Sequence, residues 1–282
     1  MDRFNKDHYL DKKFRLMDVE DINKHVNNSA YLAFCNILTL NGIPYHVLNE
    51  NKKSISFHDG LNIVLVNHSM QGENTLRFSV NKDAKIIWIE LNNAGSSIYN
   101  NYDVEIQSNT EFIKLYLGSR VNANIKNNFN FLLRGGKQLH YKAFSFVSAG
   151  HVVDDAIECL HLEDGAKSIL EYYSFVLGKV VTQVNTIIRQ QASNNESHQI
   201  LKHLLLKNSA QCFSKPNLQI ENNQVIASHG NAISALNNHD LFYLMQRGLS
   251  IDDCCNVLQY SRLAEVVGED FIYKLILGVI SE

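Results

Sequence analysis

The sequence lacks a basic excess, a long apolar run and a paired set of cysteines, and each shortage excludes a class of protein. Its 26 Lys and Arg residues are outnumbered by 29 Asp and Glu residues, so binding to nucleic acid through phosphate neutralisation is not expected. No apolar run approaches the roughly 20 residues that span a bilayer, and the charged N-terminus has no apolar signal stretch. Five scattered cysteines give no disulfide framework and predict a reducing, cytoplasmic location.

Proline and the common catalytic motifs are also scarce. Only two prolines occur, against about 5% in an average protein, and this bias carries little functional weight. Signatures of phosphate loops, zinc sites, thiol redox centres and serine hydrolases are absent. Cys254 and Cys255 cannot face one metal on a helix, because adjacent side chains there point about 100° apart. The Asp154-Asp155 pair is most simply a solvated turn.

Three regions differ in the period of their apolar residues. The first, residues 1–83, begins with an amphipathic helix predicted over residues 28–40, which Asn41, Gly42 and Pro44 would end. Short strand-like pieces follow, such as residues 61–66. This region is predicted to be a small α/β unit.

The second region, residues 84–229, is a series of short strands rich in β-branched and aromatic residues. Representative segments are 86–91, 112–117, 156–162 and 179–184. Asn, Asp, Gly and Ser separate them, as expected of turns. The pattern fits either a β-sandwich or a solenoid. Asparagine at the corners favours the solenoid, because Asn tolerates left-handed bends and can stack its amide between coils.

The third region, residues 230–282, returns to a helical period. Asn237 or Asn238 can cap a first helix that Gly248 closes. The segment 250–253, Ser-Ile-Asp-Asp, resembles a capping box for a second helix. A third helix is predicted from about residue 270.

A long ordered set of motifs in the C-terminal half points to a known family. Ser-Lys-Pro-Asn-Leu-Gln-Ile at 214–220 is followed by Ala-Ser-His-Gly at 227–230 and by Leu-Phe-Tyr-Leu-Met-Gln-Arg-Gly-Leu-Ser at 241–250. Asn-Glu-Ser-His-Gln at 195–199 lies just upstream. Together these segments resemble the C-terminal core of the SufB/SufD family, the scaffold subunits of the SUF iron–sulfur cluster assembly system. The resemblance covers about residues 185–267.

The resemblance implies a fold and a division of the chain. The family has a right-handed parallel β-helix core, so residues 84–229 are expected to form a solenoid. Residues 1–83 would be the N-terminal α/β region, and residues 230–282 a C-terminal helical domain that binds an ATPase.

Details of the motifs favour a SufD-like over a SufB-like chain. SufB-like scaffolds carry a functional cysteine about six residues before the proline, where this sequence has Ala210. Cys212 lies two residues further on, and it would share the same face of a strand. The Ser-His-Gly form around His229 is the SufD one. SufD chains often carry a cysteine two residues before that histidine, where Ala227 stands here.

The resemblance implies that the chain is a non-enzymatic assembly subunit. Such a chain pairs with a SufB-like scaffold through the β-helices and binds a SufC-like ABC-type ATPase through its C-terminal helices. An iron–sulfur cluster would form transiently at the subunit interface, with no stably bound cofactor. His229 and Cys212 are the candidate ligands, because imidazole and thiolate both bind iron. The expected ATPase-binding residues are Phe242, Tyr243, Arg247 and Gly248, with one of the two adjacent aromatic residues packed inward.

Two alternatives remain open from the sequence. The chain could be a SufB-type scaffold that acts as a homodimer, with Cys212 as its thiol. It could instead be a carbohydrate-binding or carbohydrate-active β-helix, which would need two clustered carboxylates for catalysis. The middle region offers scattered acids, namely Glu105, Glu111, Glu158 and Glu171.

Overall fold

A computed structural model describes residues 45–48, 55–68, 72–92, 97–116, 123–236 and 238–267. These residues form fourteen strands and two helices. The strands are β1 (Tyr45–Leu48), β2 (Gly60–His68), β3 (Gly72–Val80), β4 (Ala84–Asn92), β5 (Ser97–Ile106), β6 (Thr110–Tyr116), β7 (Asn124–Leu133), β8 (Gln138–Val147), β9 (Val152–His161), β10 (Lys167–Val176), β11 (Lys179–Ile188), β12 (Asn195–Leu205), β13 (Gln211–Ile220) and β14 (Val225–Ala235). The helices are α1 (Asn238–Met245) and α2 (Ile251–Val267). The predicted helices at 28–40 and from residue 270 lie outside the described residues.

The strands form two parallel sheets that share one axis. One sheet has the order β1-β2-β4-β6-β8-β10-β12-β14, and the other has the order β13-β11-β9-β7-β5-β3. From β2 onward, successive strands alternate between the sheets, so each coil adds one strand to each. Register partners lie 24 residues apart at Gly60 and Ala84 and 32 apart at Val180 and Cys212. The fold is therefore a parallel β-solenoid of about six turns, and the β-sandwich alternative is wrong.

The solenoid extends beyond the predicted range of 84–229 at both ends. Strands β1 to β3 precede residue 84 and pair in the same two sheets, and β14 continues to Ala235. Strand β3 joins because Leu76, Phe78 and Val80 alternate with polar residues and face the core. The division of the chain into three domains stays a prediction.

An aromatic cluster fills the lumen, the space enclosed between the two sheets. The ring of Trp88 lies 4.8 Å from that of Tyr102 and 5.7 Å from that of Phe112, measured between centroids. Phe129 continues the cluster, 4.6 Å from Tyr102. Aromatic pairs at these spacings add packing energy beyond their buried area. The lumen is therefore a packed core rather than a pore.

Asparagine side chains do stack between coils, but on strands that face the lumen and not at the predicted corners, and left-handed bends fall mainly on glycine. Within the lumen, Asn100 Nδ2 donates to Asn127 Oδ1 at 2.8 Å and Asn74 Nδ2 donates to Asn100 Oδ1 at 3.0 Å. Among the described residues, Asn194 is the only residue other than glycine with positive φ, at 56°. Gly136 and Gly165 hold comparable bends at neighbouring corners.

Helix α2 covers the outer face of the eight-stranded sheet. It begins at the predicted capping box, in which Ser250 Oγ accepts from the Asp253 amide at 3.1 Å and Asp253 Oδ2 accepts from the Ser250 amide at 3.2 Å. Its Leu263 and Val266 join an apolar layer with Ile87, Ile113, Phe144 and other outward-facing side chains of that sheet. Within the described part of the chain, no helix has the length and apolar character to cross a membrane.

Candidate functional site

The last coil leaves both sheets with an unpaired edge. Strand β13 pairs only with β11, and β14 pairs only with β12, so these two strands end their sheets on the same side. Both strands are long, at 10 and 11 residues. An uncovered edge of that length presents a row of backbone donors and acceptors that another strand can bind. We refer to β13 and β14 together as the open end.

Exposed apolar side chains are concentrated at this open end and on the helix that follows it. In the described ranges, every large apolar side chain with substantial exposure lies between residues 213 and 245. These side chains are 39% to 65% exposed, and they are Phe213, Ile220, Ile226, Ile233, Phe242, Tyr243 and Met245. Such clustering is typical of a surface that a partner covers.

His229 lies at the centre of the open end and is exposed. It is the register partner of Gln199 on β12, and Gln199 is buried in the lumen, where its Nε2 donates to the Asn217 carbonyl at 3.0 Å. His229 therefore faces the lumen side of the last coil. The next residue, Gly230, faces the outside, and a Cβ built there would have no atom within 4 Å.

Cys212 also faces the lumen but is partly shielded. It packs against the lumen core as the register partner of Val180. Burial raises the pKa of its thiol to about 11, so the thiol stays protonated at neutral pH and is a weak ligand.

The two candidate ligands do not converge. Between them lies the contact from Asn231 Nδ2 to the Ser214 carbonyl, at 3.2 Å. His229 and Cys212 each lie two residues from this contact, in opposite directions along the open end. No group of three or more metal-binding side chains occurs among the residues that the structure describes.

Helix α1 presents an exposed aromatic pair rather than one inward and one outward ring. Phe242 is 61% exposed and Tyr243 is 54% exposed, so the expectation that one packs inward is wrong. The helix is only eight residues long, and no described element covers either ring. Arg247 lies beside Tyr243 as predicted, with its guanidinium 4.9 Å from the ring centroid and Nη2 donating to the hydroxyl at 2.7 Å. Gly248 adopts φ 89° and ends this segment.

The lumen contains a buried charge cluster that the sequence motifs did not predict. Lys114 Nζ lies 2.7 Å from both carboxylate oxygens of Asp155 and 3.4 Å from Glu90 Oε2, and all three side chains are fully buried. The expectation of a solvated turn at Asp154-Asp155 is therefore wrong. These residues lie within β9, where Asp155 faces inward because side chains alternate along a strand.

Part of this cluster was predictable from the sequence, because two charged residues stand at positions where the strand pattern faces inward. Glu90 has the same parity as Ile86 and Trp88 in β4, and Lys114 has the same parity as Phe112 in β6. A charge at an inward-facing strand position needs a buried partner. That partner, Asp155, lies 41 residues from Lys114 along the chain, a separation that only the register of the coils reveals.

Comparison with known proteins decides the family. Residues 46–261 match the family described as "SUF system FeS cluster assembly, SufBD core domain". The chain belongs to the SufBD family. This match covers strands β2 to β14, helix α1 and most of α2, so it includes the open end and the lumen cluster.

Curated relatives agree with this assignment. Proteins of Staphylococcus epidermidis and Staphylococcus aureus, each described as an iron-sulfur cluster assembly SufBD family protein, are 22% identical to this chain over 218 residues. The alignment covers 75% of this chain and 46% of each relative. This SufBD chain thus spans about half the length of the curated relatives that it matches.

Proposed function

We propose that the chain is a SufD-like assembly subunit of the SUF system, which joins a SufB-like solenoid through its open end. This proposal rests on one observation: the two unpaired strand edges lie in the same region as the exposed apolar side chains. A partner solenoid of the same family would bring two edges of its own, so that both sheets continue across the interface. Main-chain hydrogen bonds would then supply affinity, and side chains such as Phe213 and Ile226 would supply specificity.

Glycine at position 230 supports docking of a partner at β14. Gly230 has no positive φ, and a Cβ there would meet nothing in the isolated chain. Neither the backbone conformation nor internal packing therefore requires glycine. Close approach of another chain is a physical reason for the absence of a side chain.

The thiol chemistry favours the SufD-like role over a SufB-type homodimer. Ala210 occupies the position of the SufB-type cysteine, and it is buried immediately before β13. Cys212 is the alternative thiol, but its raised pKa disfavours the thiolate that binds iron. None of the four cysteines that the structure describes is in a disulfide, in keeping with a reducing cytoplasm.

His229 is the residue that we assign to cluster chemistry. Pairing at the open end would bring its exposed imidazole into the interface with the SufB-like subunit. Neutral imidazole binds iron and can also accept a proton. The cluster is cargo in this role: it is assembled at the interface and passed on, and the subunit itself catalyses no reaction.

The C-terminal helices are proposed to bind a SufC-like ABC ATPase. Phe242 and the Tyr243–Arg247 pair form an exposed aromatic and cationic surface on α1 and the turn that follows it. Aromatic residues and arginine dominate the energetics of protein interfaces. Gly248 fixes the direction in which the chain leaves this surface.

The carbohydrate-active alternative has less support. A glycosidase general acid needs a raised pKa. Arg134 lowers the pKa of Glu105, and a hydrogen bond from His140 lowers that of Glu171. Although burial acts to raise the pKa of Glu111, Lys142 and Lys85 lower it. Glu158 accepts from Asn185 at 3.2 Å.

Co-purification tests the proposal. The tagged chain is co-expressed with the SufB-like chain and the ABC ATPase of its own genome, and we expect all three to elute together. Ile226→Lys places a charge on the exposed edge strand and should abolish recovery of the SufB-like chain. The matched control is Gln183→Lys, an exposed position on β11, a strand of the other sheet that is paired on both sides, with β9 and β13; this variant should leave recovery unchanged. Equal recovery with both variants would reject the open end as the interface.

A further inference from the structure

Polar side chains form a continuous line along the lumen, although most lumen positions are apolar. On the six-stranded sheet, one row of successive register partners crosses all six strands and is polar throughout. Its members are Asn74, Asn100, Asn127, Asp155, Thr182 and Ser214. A second row of register partners faces it from the other sheet. Its members are Glu90, Tyr116, Ser145, Ser174 and His203. We call these two rows the lumen spine. It runs from the third strand to the open end.

The charge cluster formed by the spine residues Glu90 and Asp155 with the neighbouring Lys114 contains more acids than bases. Glu90 and Asp155 are two carboxyl groups, and Lys114 is the one ammonium group beside them. Burial acts to lower the pKa of Lys114, but Asp155 and Glu90 raise it above its usual value, so Lys114 stays charged. One carboxyl group is then paired, and the second must be protonated or remain an uncompensated buried charge.

Hydrogen bonding identifies Glu90 as the protonated group. Asp155 is bound by Lys114 through both oxygens, by Asn127 Nδ2 at 2.8 Å and by the Tyr172 hydroxyl at 2.5 Å. Glu90 Oε2 accepts from Asn127 at 3.0 Å, whereas Glu90 Oε1 has no hydrogen-bond partner among the described residues. The carboxylate with the full set of donors is the ionised one.

The groups that face Glu90 from the surrounding strands agree with this assignment. They are Trp88 on its own strand, Tyr102 on β5, Lys114 and Tyr116 on β6, Asn127 on β7 and Asp155 on β9. Burial raises the pKa of Glu90 to about 7, with Lys114 opposing and Asp155 reinforcing the shift. Glu90 thus exchanges its proton near neutral pH.

A series of hydroxyl and imidazole groups lies between this cluster and the open end, in two hydrogen-bonded parts that meet at Ser145 and Ser174. The Tyr172 hydroxyl contacts both Asp155 and Ser145 Oγ, the latter at 2.9 Å. Ser145 and Ser174 are register partners on adjacent strands. No hydrogen bond joins their hydroxyls in the structure, so a proton passes between them only after one of the two serines changes rotamer. Ser174 Oγ lies 2.7 Å from His203 Nδ1, and His203 Nε2 lies 2.9 Å from Ser214 Oγ on β13. Ser214 is half-buried at the rim of the open end.

We propose that Glu90 stores a proton that it exchanges with the open end through Tyr172, Ser145, Ser174 and His203. Each of these relay groups can accept one proton and give up another, and neutral His203 can do so through its two ring nitrogens. The proposed function locates cluster chemistry at the open end, and the inference relies on it for the use of the proton. The exchange itself belongs to the isolated chain.

The transfer balances without any other reactant. Lys114 gives a proton to Asp155 and takes one from Glu90, which becomes a carboxylate. Asp155 passes the proton to the Tyr172 oxygen, and the hydroxyl proton of Tyr172 moves to Ser145. Ser145 passes its own hydroxyl proton to Ser174 once a change of rotamer has brought the two hydroxyls together. Ser174 protonates His203 Nδ1 while Nε2 releases its proton to Ser214, and Ser214 releases one to water. One proton leaves the lumen, and rotation of the relay groups resets the series.

Infrared spectroscopy after a rapid pH change tests this proposal on the purified full-length chain. The carbonyl stretch of a protonated carboxylic acid is separate from the carboxylate bands, and the band lost in Glu90→Gln is that of Glu90. When the pH is raised from 6 to 8, we expect this band to decay in the unchanged chain. In His203→Phe, the decay should slow on the order of a hundredfold, because a positioned proton-transfer group is missing. Ser174→Ala should slow the decay as well, and it serves if His203→Phe fails to fold.

Ser197→Ala is the matched control. Ser197 is also a buried lumen serine on a parallel series of hydrogen bonds, to Ser168 Oγ at 2.9 Å and Thr186 Oγ1 at 3.0 Å, but it is outside the proposed route. It should leave the decay unchanged. Equal decay in His203→Phe, Ser174→Ala and the unchanged chain would overturn the route. Absence of a band that Glu90→Gln removes would overturn the assignment of the proton. Neither outcome depends on a partner subunit, so failure here is distinct from failure to pair.

Discussion

Glu90 links the stability of the folded chain to pH in a way that one substitution can isolate. The unfolded carboxyl group loses its proton near pH 4.5, whereas burial keeps the proton on the folded one until about pH 7. Folded-state stability is therefore lost as pH rises between these values and levels off above them. Relative to Glu90→Gln, we expect the unchanged chain to lose roughly 2–3 kcal/mol of unfolding free energy between pH 4.5 and 7.

Urea denaturation at a series of pH values measures this difference. Glu73→Gln provides the control, because Glu73 is exposed on β3 and its removal should leave the pH profile parallel to that of the unchanged chain. Parallel profiles for Glu90→Gln as well would mean that the lumen does not hold the Glu90 proton.

At the scale of single residues, the sequence located the exposed groups better than the buried ones. His229, Tyr243 and Arg247 were found from local motifs, and the structure confirms that His229 is exposed and that Arg247 lies beside Tyr243. Asp155 was misassigned because its inward position depends on the register of β9 with β7 and β11. A local pattern carries no information about that register.

At the scale of single strands, two glycines are expected to differ in role: one is required by internal packing, and the other lies at the proposed docking edge. A Cβ at Gly178, between β10 and β11, would lie 2.4 Å from the carbonyl oxygens of Ser148 and His151, which are backbone atoms that cannot move aside cheaply. Gly178→Ala should therefore cost about 1–3 kcal/mol. Gly230→Ala meets open space, so its effect on stability should stay within about 0.5 kcal/mol.

Thermal melting of the two variants, together with recovery of the SufB-like partner, distinguishes these roles. We expect Gly178→Ala to melt early, and Gly230→Ala to melt normally but to recover less partner. A Gly230→Ala chain that melts as early as Gly178→Ala would contradict the view that β14 is an uncovered edge.

Most strands were predictable because their lumen residues alternate with polar ones. The segments predicted at 61–66, 86–91 and 179–184 fall within β2, β4 and β11. Strand β3 was overlooked because Asn74 and Glu73 weaken the apolar pattern at its start, and hydrogen bonding from Asn74 to Asn100 compensates for that polarity. The alternating period alone could not separate a solenoid from a sandwich, since both consist of short strands.

At the scale of the whole molecule, the apolar surface is distributed unevenly along the solenoid axis. Helix α2 covers the outer apolar layer of the eight-stranded sheet, whereas the last coil and α1 leave theirs exposed. A fold that covers one apolar surface and leaves another exposed is organised for assembly with partners. In the proposed function, the open end binds one partner, and the surface of α1 is available to a second.

The ATPase is expected to bind through Tyr243 and Arg247 on this second surface. The guanidinium of Arg247 lies over the ring of Tyr243, and its hydrogen bond to the hydroxyl holds both side chains ready for a partner. Removing both in Tyr243→Ala, Arg247→Ala should weaken ATPase binding by two orders of magnitude or more, at about 2 kcal/mol for each anchor. Because both side chains are exposed, the melting temperature of the isolated chain should change little. Tyr99→Ala, Lys126→Ala removes another Tyr and cation pair at the surface, half-buried Tyr99 and exposed Lys126, in which Lys126 Nζ lies 5.8 Å from the Tyr99 ring centroid. This control should leave calorimetric titration with the ATPase unchanged. If Arg247 serves only to stabilise the end of its own helix, the α1 double variant will melt early yet bind the ATPase with normal affinity.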